Sequence, residues 1–347
     1  DLVANYTKPA LFDDENNSIN LNYIVAEEYL DGSQYDALAG NDRVDGAQSA
    51  GNATRAGFDL SQTLNLGDGN DTFSAYGSSA ATLDEKVDGG AGNDNLYGYY
   101  GNDTLTGGSG DDHLRGGTGN DILDGGADYD DVRGDAGDDI GIFTVGEVHS
   151  NGLTRDIYYG GNGDEVAGDK LIVRVSAPQL ADAAILSDLI SLKAWVENID
   201  SQNTSRQFDA IQLNASQWES IEFLSVEDGS VIDIDAYSRP NLFDDNANTV
   251  DLDTLIAEEY RPGTQYDALG GNDRVDGAHS AEHATRAGFD LTQTLNLGDG
   301  NDNFSANSGS TTQLDEKVDG GGGNDTLRGY YGNDTLNGGD GIDSLYG

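Results

Sequence analysis

Between Gly89 and Asp139 apolar residues return every nine positions, at Leu96, Leu105, Leu114, Leu123 and Val132, before the place falls to Gly141. Glycine and aspartate keep the same phase. The segments read GGAGNDNLY, GYYGNDTLT, GGSGDDHLR, GGTGNDILD, GGADYDDVR and GDAGDD, a nonamer G-G-x-G-x-D-x-U-x in which U is apolar. One apolar residue per nine, bracketed by glycine-rich turns, predicts short x-U-x strands, and a fixed short period marks one small unit stacked on itself. Upstream the pattern occurs in isolated copies, where Asp42 precedes Val44 and Asp71 precedes Phe73. Residues 46–65 and 75–88 break the period and are expected to be loops or lateral insertions. Residues 1–11, with Pro9, read as a connector.

Beyond Asp139 the periodicity changes. Residues 141–175 alternate short apolar runs with turns, which predicts strands. Ile185, Leu189, Leu192, Val196 and Ile199 then recur at four and three, the apolar face of a helix of roughly twenty residues opening at Pro178. Residues 208–213 and 220–226 read as strands again, with Trp195 and Trp218 in a shared core. GGNGD at 160–164 and Gly168-Asp169 resemble decayed copies of the nonamer turn.

A longer repeat overlies the short one. Phe243-Asp244-Asp245 repeats Phe12-Asp13-Asp14, QYDAL at 265 repeats 34, ATRAGFDL at 284 repeats 53, and GYYGNDTL at 329 repeats 98, always 231 residues on and without a gap. The expected domains are therefore a roll at 12–140, a mixed α/β segment at 141–231, a connector at 232–242, and a second, truncated roll at 243–347.

The nonamer resembles the RTX family, the calcium-binding nonapeptide repeats of bacterial proteins exported by type I secretion. The resemblance implies a mainly β fold, a parallel β-roll with two nonamers per turn, so that residues about eighteen apart stack. Leu96, Leu114 and Val132 would line one sheet, and Leu105 and Leu123 the other. Multiple Ca2+ ions would lie between stacked loops, held by carbonyls and by the sixth-position carboxylates. In this sequence those are Asp42, Asp71, Asp94, Asp103, Asp112, Asp121, Asp130 and Asp139, and in the second copy Asp273, Asp302, Asp325, Asp334 and Asp343. The chemistry agrees, since calcium takes six to eight oxygens from carboxylates and carbonyls together. Glycines at the first, second and fourth places permit positive φ and close backbone approach. A nonamer orders nine residues, many of them glycine, and buries only one apolar side chain. Without the ion the repeats are expected to be unfolded.

Charge strengthens this reading. The chain of 347 residues carries 64 acidic against 17 basic side chains, a formal net charge of −47, with 36% hydrophobic residues in phase with the glycines. Nucleic acid and anionic membranes are poor partners for such a surface, and cations good ones. Cysteine and methionine are absent, so there is neither disulfide nor thiolate metal site. No apolar run is long enough for a membrane span. No N-terminal signal peptide is visible, and a chain opening on Asp1 reads as a segment of a longer protein, exported by the C-terminal signal the resemblance implies.

Catalytic motifs are not found. His113, His149, His279 and His283 lack H-E-x-x-H spacing, GGSGD at 107–111 falls one glycine short of a nucleophile elbow, and His113 is expected on the surface. The third positions Ala91, Tyr100, Ser109, Thr118 and Ala127 form no threonine array of the ice-binding kind. Tyr99-Tyr100 and Tyr330-Tyr331, where glycine is usual, either pack against the 46–65 insertion or make a carbohydrate-stacking platform. Asp128-Tyr129 departs similarly, with altered turn geometry expected. Together these features predict a secreted, calcium-folded structural repeat protein of adhesin, surface-layer or matrix type. Expected partners are further copies of itself, in end-to-end or calcium-bridged oligomers or fibres, and cell-surface polysaccharide. The alternative is a non-catalytic module of a larger exported epimerase, lipase or protease.

Overall fold

A computed structural model describes residues 10–28, 34–75, 82–146, 155–161, 168–197, 205–239, 241–257, 260–261, 264–306 and 314–347. The chain divides into two compact units, Asp1–Ile232 and Asp233–Gly347. Each nonamer supplies one strand, and successive strands alternate between two sheets. In the first unit a nine-stranded sheet faces a seven-stranded one. The larger takes Ser18–Asn20, Arg43–Asp45, Thr72–Ser74, Asn95–Tyr100, His113–Thr118, Asp131–Ala136, Asp156–Gly161 and Leu213–Ser216 in parallel, with Ser205–Phe208 antiparallel at its edge. The smaller takes Leu64–Asn65, Lys86–Ala91, Thr104–Ser109, Ile122–Ala127, Ile140–Thr144, Lys170–Val175 and Ser220–Ser225. This is a mainly β protein built as a parallel β-roll.

Register places the apolar positions in two columns. One runs Ile19, Val44, Phe73, Leu96, Leu114, Val132, Tyr158 and Ala215. The other runs Leu64, Val87, Leu105, Leu123, Gly141, Leu171 and Ile221. Leu96, Leu105, Leu114, Leu123 and Val132 are fully buried. Gly141, the one gap in the column, makes room for an aromatic ring: a Cβ there would lie 2.5 Å from Cη2 of Trp218. Trp218 is held by its indole N–H, which donates to the Tyr158 carbonyl at 3.2 Å.

The expected boundary at residue 141 is therefore not a boundary between architectures. Strands at Ile140–Thr144, Asp156–Gly161, Lys170–Val175, Leu213–Ser216 and Ser220–Ser225 continue both sheets. Stacking needs an inward apolar residue and a satisfied turn, and these segments supply both without the full nonamer. The expected long helix is two helices, α2 at Ala177–Ala181 and α3 at Ala183–Val196, following α1 at Ala50–Arg55 within the 46–65 insertion. Asp182 breaks the run by taking extended geometry, and its carboxylate caps α3 by accepting from Ala184 and Ile185 N–H at 2.8 and 3.1 Å. The buried face of α3 is Leu186, Leu189, Leu192, Trp195 and Val196, one residue off the predicted face at its start. Ile199 and residues 162–164 lie outside the described residues. Trp195 packs edge-on to Phe208.

The second unit repeats the design with a five-stranded and a three-stranded parallel sheet. Its core joins Phe243, Val250, Val275, Phe304, Val318 and Leu327, and α4 at Ala281–Arg286 stands where α1 stands in the first copy. Residues 234–238, within the expected connector, form a 3-10 turn.

Candidate calcium ladders

The turns between strands have a regular internal logic. Positive φ falls at the second and fourth places, as at Gly108 (φ 114°) and Gly110 (φ 118°). The first-position glycine has no positive φ and serves another purpose. A Cβ on Gly107 would sit 2.3 Å from Asp112 Oδ2 and 2.3 Å from the Gly125 carbonyl, and Gly89, Gly98 and Gly116 meet Asp94, Asp103 and Asp121 in the same way. The place of the missing side chain is where a carboxylate oxygen converges, and at Gly89, Gly98 and Gly107 the carbonyl of the next turn converges there too. At the second and fourth places, carbonyls of the preceding turn crowd the glycine instead, Gly90 O against Gly108 and Gly92 O against Gly110.

The sixth-position aspartates stack into ladders. Asp94 N–H donates to Asp112 Oδ1 at 2.8 Å, and Asp103 N–H to Asp121 Oδ1 at 2.7 Å, eighteen residues on. One ladder of the first unit runs from Asn17 N–H through Asp42, Asp71, Asp94, Asp112 and Asp130 to Asp156. The other runs from Glu85 through Asp103, Asp121, Asp139 and Asp169 to Glu219. In the second unit Asn248 N–H leads to Asp273, Asp302, Asp325 and Asp343, and Glu316 N–H to Asp334. Every predicted aspartate stands on a ladder; Asp334 and Asp343 are half-buried and the others buried.

Only one oxygen of each carboxylate is used by its ladder. Oδ2 of Asp42, Asp71, Asp94, Asp103, Asp112 and Asp121, and of Asp273, Asp302 and Asp325, is buried without a hydrogen-bond partner. Burial is the largest influence on these groups and outweighs the N–H donation. It pushes Asp94 up to about 6, Asp71 to about 7, and Asp112 and Asp121 to about 8, with neighbouring carboxylates adding repulsion. Burial also raises Glu85 and Asp103, which face each other. A buried carboxylate with an idle oxygen calls for a cation or a proton. Buried carboxylate oxygens beside stacked carbonyls, with neither imidazole nor thiolate, are a hard, all-oxygen donor set suited to calcium.

Sequence reasoning missed Glu85, Glu316, Asp156 and Glu219 as ladder members. The signal was available for all four, since each is an acidic residue two places before a residue of the apolar columns, Val87, Val318, Tyr158 or Ile221. It also passed over the fifth position, where a second ladder of side chains runs. Asn70 N–H donates to Asn41 Oδ1, Asn93 N–H to Asn70 Oδ1, and Asn120 N–H to Asn102 Oδ1, each at 2.8 Å. The departures from glycine keep the turn rather than altering it: Tyr99 (φ 64°), Asp128 (φ 79°) and Asp135 (φ 77°) adopt the left-handed region of the glycines they replace. His113 is partly exposed and lies 3.5 Å from Asp131.

A parallel roll whose turns are lined by stacked, half-satisfied carboxylates defines a repeat protein that binds metal through its turns. Residues 81–114, 106–140 and 310–345 match the family model of the RTX calcium-binding nonapeptide repeat (4 copies), so both copies of the long unit carry this repeat within their rolls. No curated protein matches the chain. RTX repeats bind calcium and are typically parts of secreted proteins. Among the described residues no helix is long and apolar enough to cross a membrane.

Proposed function

We propose that this chain is part of an exported structural repeat protein, of adhesin, surface-layer or matrix type, whose rolls take up several calcium ions and fold outside the cell. The observation that carries the reading is the ladder of buried, idle carboxylate oxygens, repeated in both copies of the 231-residue unit. A near-identical tandem unit suits a protein whose work scales with length. Many sites in series, each with a constant near 10⁻⁴ to 10⁻³ M, would leave the chain unfolded at cytosolic calcium and folded outside. A site of 10⁻⁴ M gains roughly 2.7 kcal/mol at about 10 mM calcium. In EDTA the β-type circular dichroism should vanish and in millimolar calcium return, with electron micrographs at high calcium showing associated particles. An unchanged spectrum in EDTA removes the folding switch; isolated particles alone remove the fibre.

A polysaccharide is the proposed partner. Tyr97, Tyr99, Tyr100 and Tyr159, with Arg115 and Asp135, line a groove of about 650 Å³ on the outer face of the nine-stranded sheet. Tyr99 is 43% exposed and holds a backbone conformation that costs a non-glycine residue about 1–2 kcal/mol, a cost that selection for a surface role would explain. One exposed and three half-buried tyrosines beside an ion pair suit sugar rings. Tyr99→Ala with Tyr100→Ala should abolish binding on a glycan array in calcium while leaving the circular dichroism intact; equal binding by the variant excludes this groove.

A further inference from the structure

We infer that the second unit carries a transition-metal site made by Asp253, His279 and His283, separate in place and chemistry from the calcium ladders. Asp253 lies in the turn after the strand Thr249–Asp251, His279 follows the strand Arg274–Asp276, and His283 stands on α4. One ligand atom from each lies within 4.8 Å of the others. The Asp253 carboxylate is the hub. Its Oδ1 accepts the His279 backbone N–H at 2.6 Å and lies 2.8 Å from His283 Nδ1, while its Oδ2 meets His279 Nδ1. Both rings are part-exposed, so the site has an open side.

The first copy provides the second observation. The residues 231 places earlier are Asn22, Gln48 and Asn52, and they occupy the same frame. Gln48 N–H donates to Asn22 Oδ1 at 2.5 Å, Asn52 Nδ2 donates to the same oxygen at 2.9 Å, and Arg55 donates to the Asn22 carbonyl as Arg286 does to that of Asp253. The flanking VDGA, SA and ATRAGFDL are shared by both copies. Three carboxamide residues in one frame, with the Asn52 side chain and the Gln48 backbone N–H both on Asn22 Oδ1, are replaced by one carboxylate and two imidazoles, while the scaffold around them is kept. Packing alone gives no reason for all three changes to fall together on metal-binding side chains.

Two imidazole nitrogens with one carboxylate oxygen form a borderline donor set, suited to Zn2+, Co2+, Ni2+ or Cu2+ rather than calcium. Three protein ligands leave a coordination position for water or a group from another molecule. The histidines stand in H-x-x-E-H order, the reverse of the H-E-x-x-H spacing, and the third ligand comes from a remote turn. The paired-histidine spacing is thus readable in the sequence, whereas the carboxylate ligand is supplied only by the fold.

The test uses the full chain in millimolar calcium, which saturates the all-oxygen sites. Titration with Co2+, followed by its visible d–d absorption and by displacement with Zn2+, should give one site per chain. The variant Asp253→Asn/His279→Gln/His283→Asn carries only residues that the first copy already holds in this frame, so it should fold and lose the site. The reciprocal Asn22→Asp/Gln48→His/Asn52→His should raise the stoichiometry from one to two. Absence of Co2+ and Zn2+ uptake by the parent chain, or undiminished uptake by the first variant with its circular dichroism unchanged, overturns the proposal and leaves the trio a hydrogen-bonded cluster of imidazoles around a carboxylate.

Discussion

At the scale of single residues, the glycines of this chain divide by purpose. Those at the second and fourth places of the nonamer supply a left-handed backbone, which a tyrosine or aspartate also tolerates here, as Tyr99 and Asp128 do. Those at the first place are excluded volume: Gly107 leaves the space into which Asp112 Oδ2 and the Gly125 carbonyl project. Carbonyls crowd the second place as well, with Gly90 O 2.0 Å from a Cβ on Gly108, yet Tyr99 and Asp135 stand at that place in other nonamers, whereas the first place is glycine in all six. Gly107→Ala must displace backbone as well as a ladder carboxylate, and overpacking of this kind costs about 1–3 kcal/mol. It should raise the calcium midpoint for folding measured by circular dichroism. Gly51 in α1 is the control, because an added methyl would meet only Ser49 Oγ at 3.7 Å. Gly51→Ala should stabilise the calcium-loaded chain by about 0.5–1 kcal/mol, read as a higher thermal midpoint. Equal effects of the two substitutions would show that the first-position space is unused.

At the scale of elements, the roll between Gly89 and Asp139 was legible because one apolar residue, one aspartate and three glycines recur in phase. The stacking of Leu96 on Leu114 on Val132 follows from two strands per turn. The continuation after Asp139 was legible only in part: strands and the turn at Gly168-Asp169 could be read, but not their place in the same roll, which keeps the physical requirements and discards the letters. Gly141 gives up its side chain to Trp218, and Asp156 and Asp169 hold the ladder beyond long intervening segments. A motif reader sees the period fail there, whereas a sheet needs only an inward residue and a satisfied turn. Asp182 shows the reverse case: apolar spacing ran on across a residue whose side chain caps a new helix. The His–Asp–His cluster escaped for a third reason: a search for H-E-x-x-H alone passes over the reversed H-x-x-E-H of His279 and His283, and Asp253 comes from a remote turn.

At the scale of the whole molecule, the proposed calcium sites set protons and calcium in competition for the same oxygens, which gives a pH dependence with a definite sign. In the folded, ion-free roll Asp94, Asp71, Asp112 and Asp121 stand at about 6, 7, 8 and 8, pushed up first by burial, against about 3.9 in an unfolded chain. Between those limits the folded state holds more protons than the unfolded state. Its stability is then fully present below about pH 4 and falls as pH rises through about 6 to 8. Calcium reverses the dependence, because it binds the deprotonated carboxylates and must release the protons they held. In EDTA the chain should therefore gain β-type circular dichroism when acidified to about pH 5 and lose it again on return through neutrality. At about pH 5, where the ion-free roll is folded and still holds its protons, adding calcium to a weakly buffered, EDTA-free solution should liberate protons measurable with an indicator dye, whereas at neutral pH calcium should refold an already deprotonated chain. A chain that stays unfolded in EDTA at every pH, or that takes up calcium at about pH 5 without releasing protons, would mean that the ladder carboxylates are solvated rather than buried before the ion arrives. On the proposed reading the same competition explains why so acidic a chain can close into a roll: each turn would hold its carboxylates either neutral, by a proton, or neutralised, by a shared cation.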